Sequence, residues 1–508
     1  MISKLIKKHK KLIFYFLILG IVFIGAFRLS ESRSLSFHFV DEEDHITFAH
    51  YINKGYKLHR DLQGNHQPLV YFGSALLQKV SKPTNIFMLV KRHRQAMFFY
   101  GLFWSLLFVT KFRLTGLIFS VLFEFLKYWQ FGNLFLQESL AAYPIFYLFM
   151  SLMEMLLWEK KPKKLESIFL GFCTFIVIFS LIPFWPWLTL LWLIFLVKNR
   201  KFFIHQFLTT LILTIGLFLF YSPIDWFRET IYNNIIYAIP ALSEISGIQD
   251  WLKLIFFPFL SFTTKDSLQA NFISLFITGW LIVTAYLLKK KDKKIIWFLL
   301  FYFLLFLANT RVLSPGTVFY QGFHLLPWLG LIWMLFIYSL RIVSKGKNLK
   351  KVVFPLFFIW GLFLLTNKSM PYFWKTDSNR EYHINYSSFG DFNFAIKTIA
   401  RPGDRLAVFT NESLIHWNTG TVPATRQIVY YAWEPLIERL KSEYKEGIIE
   451  NSPEFLYGGK EQELVKEKYI NILKNNKTTE LFVRKDKYEK ITEDQWQILT
   501  TREFGNEN

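Results

Sequence analysis

An apolar run followed by a cluster of acids near the N-terminus decides the fold. Residues 12–27 read LIFYFLILGIVFIGAF, and residues 39–72 read FVDEEDHITFAHYINKGYKLHRDLQGNHQPLVYF. The first run is close to the length that crosses a hydrocarbon core of about 30 Å. The acids Asp41–Asp44 and the turn His66-Gln67-Pro68 would then lie just outside a membrane, where clustered carboxylates are costly to keep and useful for chemistry.

The composition is that of a polytopic membrane protein. Of 508 residues, 52% are hydrophobic and 58 are Phe, far above the usage of soluble proteins. Apolar runs of about 16–22 residues recur through the first three quarters of the chain. We expect about eleven transmembrane helices, at 12–27, 95–111, 113–128, 140–158, 166–182, 184–197, 203–222, 269–288, 295–310, 320–343 and 352–367. The two runs around Pro183–Pro186 could instead form one kinked or re-entrant hairpin.

The basic residues predict the orientation of these helices. The net charge of +21 is concentrated in short gaps between apolar runs, which favours a cytoplasmic position for those gaps. The alternate gaps, including 28–94 and 223–268, are longer or less basic and should face outward. We therefore expect a multi-pass plasma-membrane protein with a cytoplasmic N-terminus and a retained signal-anchor helix. This charge distribution argues against nucleic-acid binding, and the single cysteine, Cys173, excludes a disulfide within the chain.

The composition changes near residue 368, where apolar runs shorten and charges of both signs mix. Residues 401–405 (RPGDR) predict a turn, and strands are expected at 406–409, 454–457 and 480–483. Helical patterning occupies 434–447 and 460–475. The sequence thus predicts a transmembrane domain, 1–367, with its first outer loop at 28–94, and a small extracytoplasmic soluble α/β domain, 368–508.

Two short amphipathic helices are expected in the first outer loop, at 41–55 and 67–80, each lying in the membrane interface with one face in lipid. The first opens with Asp41–Asp44. Acids suit a first helical turn, and Asp41 could be the N-cap. One or two acids would suffice for that role, however, and four repel one another. Helical spacing places Asp41 and Asp44 on one face, where a carboxylate could be a general base or bind a divalent cation.

The other candidates lie at predicted outer ends of helices. His66 and Gln67 precede Pro68, which suits the first turn of a helix. Glu138 stands where an outer gap meets the fourth apolar run. Side chains that could hold a phosphate lie at the outer mouths of the ninth and tenth runs: Arg311, Tyr320 and His324. The alternatives are a solvated loop histidine, a capping or snorkelling glutamate and ordinary interface anchors. The chain contains no P-loop, GxSxG or HExxH motif.

These features together resemble the GT-C glycosyltransferases of the protein-mannosyltransferase and aminoarabinose-transferase type. Those multi-span enzymes take a sugar from a polyprenyl-phosphate donor at the outer membrane face. The similar features are the N-terminal anchor, the pair Asp41-Glu42 at the start of the first outer loop, the turn at 65–71 (NHQPLVY) and the motif at 320–327 (YQGFHLLP). The family's turn carries a lysine where this chain has Gln67.

The resemblance implies a GT-C fold and an inverting transfer of sugar to a lipid, glycan or protein acceptor. Asp41 would be the general base, with Glu42 or Glu138 holding the acceptor or a metal. Glu43 and Asp44 would then be first-turn helix acids. Arg311 or His324 would contact the donor phosphate, and His66, Gln67 and Tyr320 would line the substrate site. A divalent cation such as Mg²⁺ or Mn²⁺ could neutralise the leaving lipid phosphate, with Asp41 and Glu138 as its ligands.

Two other classes of function are compatible with a multi-span chain. A transporter or lipid flippase should carry ionisable residues deep within its spans and an internal repeat. The sequence has almost no charge in the middle of its apolar runs, and its halves do not resemble each other. A non-catalytic scaffold with a partner-binding outer domain would make the acidic loop incidental.

Overall fold

The chain folds into two compact units, each built from segments that are distant in sequence. Unit 1 comprises Met1–Ser32, Arg94–Phe220 and Ser243–Lys375, and unit 2 comprises Arg33–His93, Tyr221–Leu242 and Thr376–Asn508. The computed structural model describes residues 2–238, 240, 252, 256, 259, 262, 268–308, 322–343, 377–431, 434–459, 462–474 and 477–501. The sequence boundary at 367/368 differs from this division, because residues 33–93 join the C-terminal residues in unit 2.

Helices account for most of the first 238 residues. In chain order they are α1 (Ile2–Ser32), α2 (Val40–Asn53), α3 (Pro68–Ser81), α4 (Ile86–Phe112), α5 (Leu114–Leu126), α6 (Gln137–Trp158), α7 (Lys164–Ile178), α8 (Trp185–Lys198), α9 (Arg200–Phe218) and α10 (Pro223–Trp226). The 3₁₀ turns Lys127–Gln130 and Ile182–Phe184 follow α5 and α7, and π-helical turns follow α10 at Phe227–Tyr232 and Asn234–Ala238.

The remaining described residues form further helices and a small sheet. The helices are α11 (Leu268–Lys289), α12 (Lys294–Leu307), α13 (Gly322–Val343), α14 (Ser378–Asn385), α15 (Ser387–Ile399), α16 (Glu438–Asn451), α17 (Glu463–Lys468), α18 (Lys485–Tyr488) and α19 (Glu493–Thr501). The strands are β1 (Arg405–Val408), β2 (Val422–Pro423), β3 (Phe455–Tyr457), β4 (Tyr469–Lys474) and β5 (Lys477–Arg484). The 3₁₀ turns Ser413–His416 and Glu434–Leu436 precede β2 and α16.

Within the described ranges, five helices are long and apolar enough to cross a membrane: Lys10–Ser32, Ile86–Phe112, Gln137–Trp158, Arg200–Phe218 and Phe323–Val343. The predicted spans 113–128, 166–182, 184–197 and 295–310 fall on shorter helices, 269–288 falls on α11, of which the apolar segment Ile273–Lys289 is described, and 352–367 lies outside the described residues. The number of eleven crossings therefore stays a prediction. Helix α4 begins at Ile86, earlier than the predicted start at 95. The apolar run begins only after the polar residues 91–95, and these polar residues belong to the same helix.

Large apolar side chains on the surface of unit 1 favour a membrane location. On α1 the exposed residues include Phe14, Leu17, Ile21 and Ile24, which recur at helical spacing along one face. Helix α9 exposes an apolar face in the same way, including Ile212 at 65%. Exposed apolar surface of this extent in a soluble domain would bind another surface or aggregate.

The core of unit 1 centres on α6 and α13. Both helices are buried along most of their length. They approach closely at Gly330, where an added Cβ would overlap the ring of Phe146. Aromatic side chains fill the space between α4 and α6, including Trp104, Phe108 and Tyr147. Tight packing through small residues is the usual way in which membrane helices associate.

The sheet of unit 2 has the strand order β2-β1-β3-β5-β4. Strand β1 pairs in parallel with β2 and β3, whereas β5 is antiparallel to both β3 and β4. Alternation along β1 directs Leu406 and Val408 to a core shared with α15, and Ala407 to a core shared with α16. Helices therefore cover both faces of the sheet, and the predicted α/β arrangement of the C-terminal residues is confirmed.

Local predictions in the C-terminal residues are confirmed at the first turn and at three strands. At the turn, Gly403 takes φ 92° and the Arg401 amide donates to the Asp404 carboxylate. The predicted helix at 460–475 is wrong after residue 468, because Tyr469–Lys474 forms β4. Pairing with β5 outweighs the local helical pattern there, since strand formation depends on the neighbouring strand.

The predicted lipid-facing position of the first-loop helix is wrong for α2. Residues 42–49 of α2 are all buried in the protein. Ile46 packs in the same core as Ile396 and Leu406. The apolar side chains that suggested a lipid interface instead pack into the core beside the sheet. Helix α3 differs, because Leu76 and Val80 remain exposed.

Close packing of α7 on α9 gives a test of the fold of unit 1. An added Cβ at Gly171 would overlap the carbonyl oxygen of Gln206, whereas Gly216 has nothing within 4 Å. We expect Gly171→Ala to lower the free energy of unfolding by about 1–3 kcal/mol. Gly216→Ala should have little effect or stabilise the helix. Melting temperatures of the two purified variants in detergent check this, and equal values would contradict the packing.

Candidate functional site

The four acids at the start of α2, here called the acid cluster (Asp41–Asp44), differ sharply in exposure. Asp41 is partly exposed. Glu42, Glu43 and Asp44 are 1%, 1% and 0% exposed. The N-cap is Phe39 rather than Asp41, and its side chain forms no capping hydrogen bond. Glu43 lies in the first turn of α2, as predicted, and Asp44 follows it, but both side chains are buried.

Glu43 is in hydrogen-bonding contact with the imidazole of His38, the residue two positions before the helix. Burial raises the pKa of the Glu43 carboxyl group from 4.5 to about 7, although the hydrogen bond from His38 opposes this shift. A group with such a pKa gains and loses a proton near neutral pH. Glu43 thus has a pKa suited to a general acid or base. Its carboxyl group, however, is buried and in contact with His38.

Asp44 accepts a hydrogen bond from the phenol of Tyr431, which follows β2 in the chain. Burial raises the pKa of Asp44 well above its usual value, against the effect of this hydrogen bond. The two residues are 387 positions apart, so no sequence pattern could have linked them. This contact fixes the start of α2 against the C-terminal part of unit 2.

The acidic helix and the His-Gln-Pro turn, predicted as separate candidates, lie together in unit 2. His45 Nε2 is 3.0 Å from His66 Nδ1. Gln67 Oε1 accepts a hydrogen bond of 3.1 Å from the indole of Trp226. Pro68 begins α3, as predicted. The residues quoted for the family resemblance in the first loop therefore form one continuous structure.

The loop that carries this turn is held at several points. Arg426 donates to the carbonyl oxygen of His59 at 2.9 Å, and its own carbonyl oxygen accepts from the Gln63 amide at 2.8 Å. His59 is fully buried, contacts Tyr221 and takes a left-handed backbone conformation with φ 64°. Burial lowers the pKa of His59 to about 3, so its ring is neutral at physiological pH. Such restraints keep a binding loop in one conformation.

In unit 1 the structure brings together two candidates that were chosen for separate reasons. His324 Nδ1 lies 2.9 Å from Glu138 Oε1, at the start of α13 and α6 respectively. Both side chains are largely buried, at 10% and 2% exposed. The carboxylate can orient the imidazole and fix its tautomer. Arg311 and Tyr320 lie outside the described residues.

A buried polar triad in unit 1 was missed by the sequence analysis. Lys127 Nζ lies 2.6 Å from Glu124 Oε2 and 3.1 Å from the Tyr143 hydroxyl, which donates to Glu124 Oε1 at 2.6 Å. The side chains of Lys127 and Glu124 are 1% and 0% exposed. A charged pair spaced i, i+3 at the end of an apolar helix was the available signal, but exposed helix ends often carry such pairs.

The predicted cation site stays a prediction. Asp41 belongs to unit 2 and Glu138 to unit 1. Among the described residues, no three His, Cys, Asp or Glu side chains are grouped so that they could hold a metal ion. The acids that do lie together are held instead by His38 and Tyr431.

Neither protein-family profiles nor curated protein sequences match this chain. The resemblance to GT-C glycosyltransferases therefore depends on the short motifs quoted above and on the architecture.

Breaking the buried triad should destabilise unit 1. Lys127→Met would leave the Glu124 carboxylate buried without its cation, at an expected cost of about 3–5 kcal/mol. Replacing both residues, by Glu124→Gln with Lys127→Met, should cost less because no uncompensated charge remains. Melting temperatures of the three proteins in detergent check this. A double variant less stable than the single one would show that the ion pair itself stabilises the unit.

The raised pKa of Glu43 predicts a pH dependence of stability. Between pH 4.5 and about 7 the folded state binds a proton at Glu43 that the unfolded state releases. Stability should therefore fall as the pH rises through this window, by up to about 3 kcal/mol. Glu43→Gln should flatten this part of the profile. Melting temperatures of both proteins between pH 4 and 8 provide the measurement, and profiles of equal slope would contradict the assignment.

Proposed function

We propose that this protein is a membrane glycosyltransferase that moves a sugar from a polyprenyl-phosphate donor to a lipid, glycan or protein acceptor at the outer face of the membrane. The observation that carries the proposal is the contact between His45 and His66, which joins the acidic helix and the His-Gln-Pro turn of the first loop. In the GT-C family that this chain resembles, these two motifs belong to the catalytic loop.

Asp41 is the proposed general base. It is the one partly exposed carboxylate of the acid cluster, so an acceptor hydroxyl could reach it. The hydroxyl oxygen would attack the anomeric carbon as its proton passes to Asp41. The bond from that carbon to the phosphate oxygen would break, and its electron pair would leave with the polyprenyl phosphate. Attack opposite the leaving group inverts the anomeric configuration.

The buried acids Glu43 and Asp44 support this role because their contacts hold the start of α2 in place. Contacts of Glu43 with His38 and of Asp44 with Tyr431 fix the first turn of α2, on which Asp41 lies. A base fixed in this way needs no reorganisation before proton transfer. Glu42, which is buried beside Asp41, is proposed to assist in holding the acceptor.

The leaving lipid phosphate requires positive charge or hydrogen-bond donors. His324 is proposed to contact it, with its imidazole oriented by Glu138 at 2.9 Å, and Arg311 is the alternative. The proposal includes eleven membrane crossings in a GT-C fold, a cytoplasmic N-terminus and an extracytoplasmic C-terminal part. It also includes Mg²⁺ or Mn²⁺ as the cation that would neutralise the phosphate.

A transporter or lipid flippase is the second candidate function. The buried ion pair between Lys127 and Glu124 favours it, because ionisable residues among membrane helices often mark a transport path. However, Lys127 and Glu124 are hydrogen-bonded to each other and to Tyr143, as expected for an ion pair with a structural role. Uptake or flipping by protein in vesicles, lost in Lys127→Met but kept in Asp41→Asn, would favour this candidate.

Removal of the proposed base tests the enzyme. Asp41→Asn should reduce transfer from a labelled polyprenyl-phosphate sugar into native membranes by about 10²–10⁴-fold. Asp494→Asn is a matched control, since Asp494 is an exposed acid in the first turn of α19, and it should keep full activity. Size-exclusion profiles of both variants check folding. Full transfer by a folded Asp41→Asn protein would exclude Asp41 as the base.

A further inference from the structure

Residues 223–238 of unit 2, which form α10 and the two π-helical turns after it, have the reverse of the polarity expected for a surface helix in water. Their polar side chains Glu229 and Asn233 are buried. Apolar side chains lie outside instead, with Ile224 at 75% and Ile236 at 49% exposed. A surface helix in water buries its apolar stripe and exposes its polar one. The outer side of this segment is therefore suited to apolar surroundings.

The buried polar side chains of this segment are held by the C-terminal part of unit 2. Glu229 accepts hydrogen bonds from Asn233 at 2.6 Å and from Arg426 at 3.3 Å. Asn233 accepts a hydrogen bond from Arg439 at 3.2 Å. These contacts determine which side of the segment lies against the protein, and they leave its isoleucines on the outside.

Helix α3 continues this apolar surface. The ring of Phe72 packs edge-on against that of Tyr221, with centroids 5.8 Å apart. One and two turns after Phe72 on α3, Leu76 and Val80 are exposed. We call the exposed aliphatic and phenylalanine side chains of α3 and residues 223–238 the apolar face: Leu76, Val80, Ile224, Phe227, Ile235 and Ile236.

The connection to α9 indicates what covers the apolar face. Helix α9 is long and apolar enough to cross a membrane, and Ile224 follows its last residue, Phe218, by six positions. Six residues span at most about 20 Å. Exposed apolar side chains continue along this connection at Ile215, Leu219 and Phe220. The apolar face therefore begins close to the end of a helix suited to crossing a membrane.

The composition of the apolar face favours lipid over a second protein. Its side chains are aliphatic except for Phe227, whereas the centre of a protein interface is enriched in Tyr, Trp, Met and Arg. On the same elements Trp226 is partly exposed, and Tyr232 and Lys79 are exposed. Side chains with an apolar body and a polar tip are typical of the boundary between acyl chains and headgroups.

We propose that the apolar face docks unit 2 on the surface of a lipid bilayer, with its side chains among the acyl chains next to the headgroups. The interfacial position predicted for α3 thus becomes part of a larger surface. This inference does not depend on the proposed function, because it follows from polarity and connectivity.

Docking of the apolar face has a consequence for the candidate site. The indole of Trp226 donates to Gln67. The side chain of Asn234 donates to the carbonyl oxygen of Asn65 at 2.8 Å. The segment that contacts lipid therefore also holds the turn at 65–68, and this turn lies beside the lipid headgroups.

The test uses nitroxide spin labels on the full-length protein in nanodiscs of phosphatidylcholine and phosphatidylglycerol. The buried Cys173 is replaced by alanine, and single labels are attached through Leu76→Cys, Ile236→Cys or Ile449→Cys. Ile449 is the matched control, since it is a 64% exposed isoleucine of unit 2 on α16. Power-saturation EPR measures collisions of each label with oxygen, which concentrates among acyl chains, and with a water-soluble nickel complex. The ratio of oxygen to nickel collisions should be several-fold higher at positions 76 and 236 than at 449.

Two results of this measurement would overturn the proposal. Ratios at 76 and 236 equal to that at 449 would show that the face meets water, and few collisions with either reagent would show that protein covers it. A second variant tests the joint face. Ile235→Asp with Ile236→Asp should lower the ratio at position 76 towards the control value, whereas Ile449→Asp should leave it unchanged. An unchanged ratio in a monodisperse double variant would contradict a surface shared by α3 and residues 223–238.

Discussion

The burial of the acids at the start of α2 is the constraint on which the structure of unit 2 depends. A carboxylate can leave water only when hydrogen bonds or opposite charge replace its hydration. His38 supplies that contact for Glu43, and the phenol of Tyr431 supplies it for Asp44. Because Tyr431 comes from the C-terminal part of the chain, folding of the first loop and of the C-terminal residues is coupled. The first loop can satisfy Glu43 through His38, but it cannot supply the partner of Asp44.

The same contacts organise the loop between α2 and α3. Helix α2 covers one side of the core beside the sheet, and its remaining surface supports His66 through His45. Arg426 fixes the loop from the other direction through backbone atoms of His59 and Gln63. Residues from the C-terminal part of unit 2 therefore hold the candidate loop in place, and Asp41 stays partly exposed at the start of the helix.

Much of the fold could be predicted because its signals are local. Apolar runs placed the helices of unit 1, and alternation and turn residues placed β1, β3 and β5. The start of α3 at Pro68 also follows from sequence. The predictions were wrong where contact with a distant segment of the chain decides the local structure or its burial. Residues 469–474 became a strand because β5 lies beside them, and α2 is buried because the sheet domain needs its apolar side chains.

The sequence by itself determined the apolar helices, the α/β character of the C-terminal residues and the carboxylates worth testing, since composition and periodicity along the chain encode them. Only the tertiary structure decided which carboxylate stays accessible, which acids are paired, and that His324 meets Glu138. These outcomes depend on residues up to 387 positions apart. Local patterns carry no information about such contacts, because burial and pairing arise only when distant segments pack together.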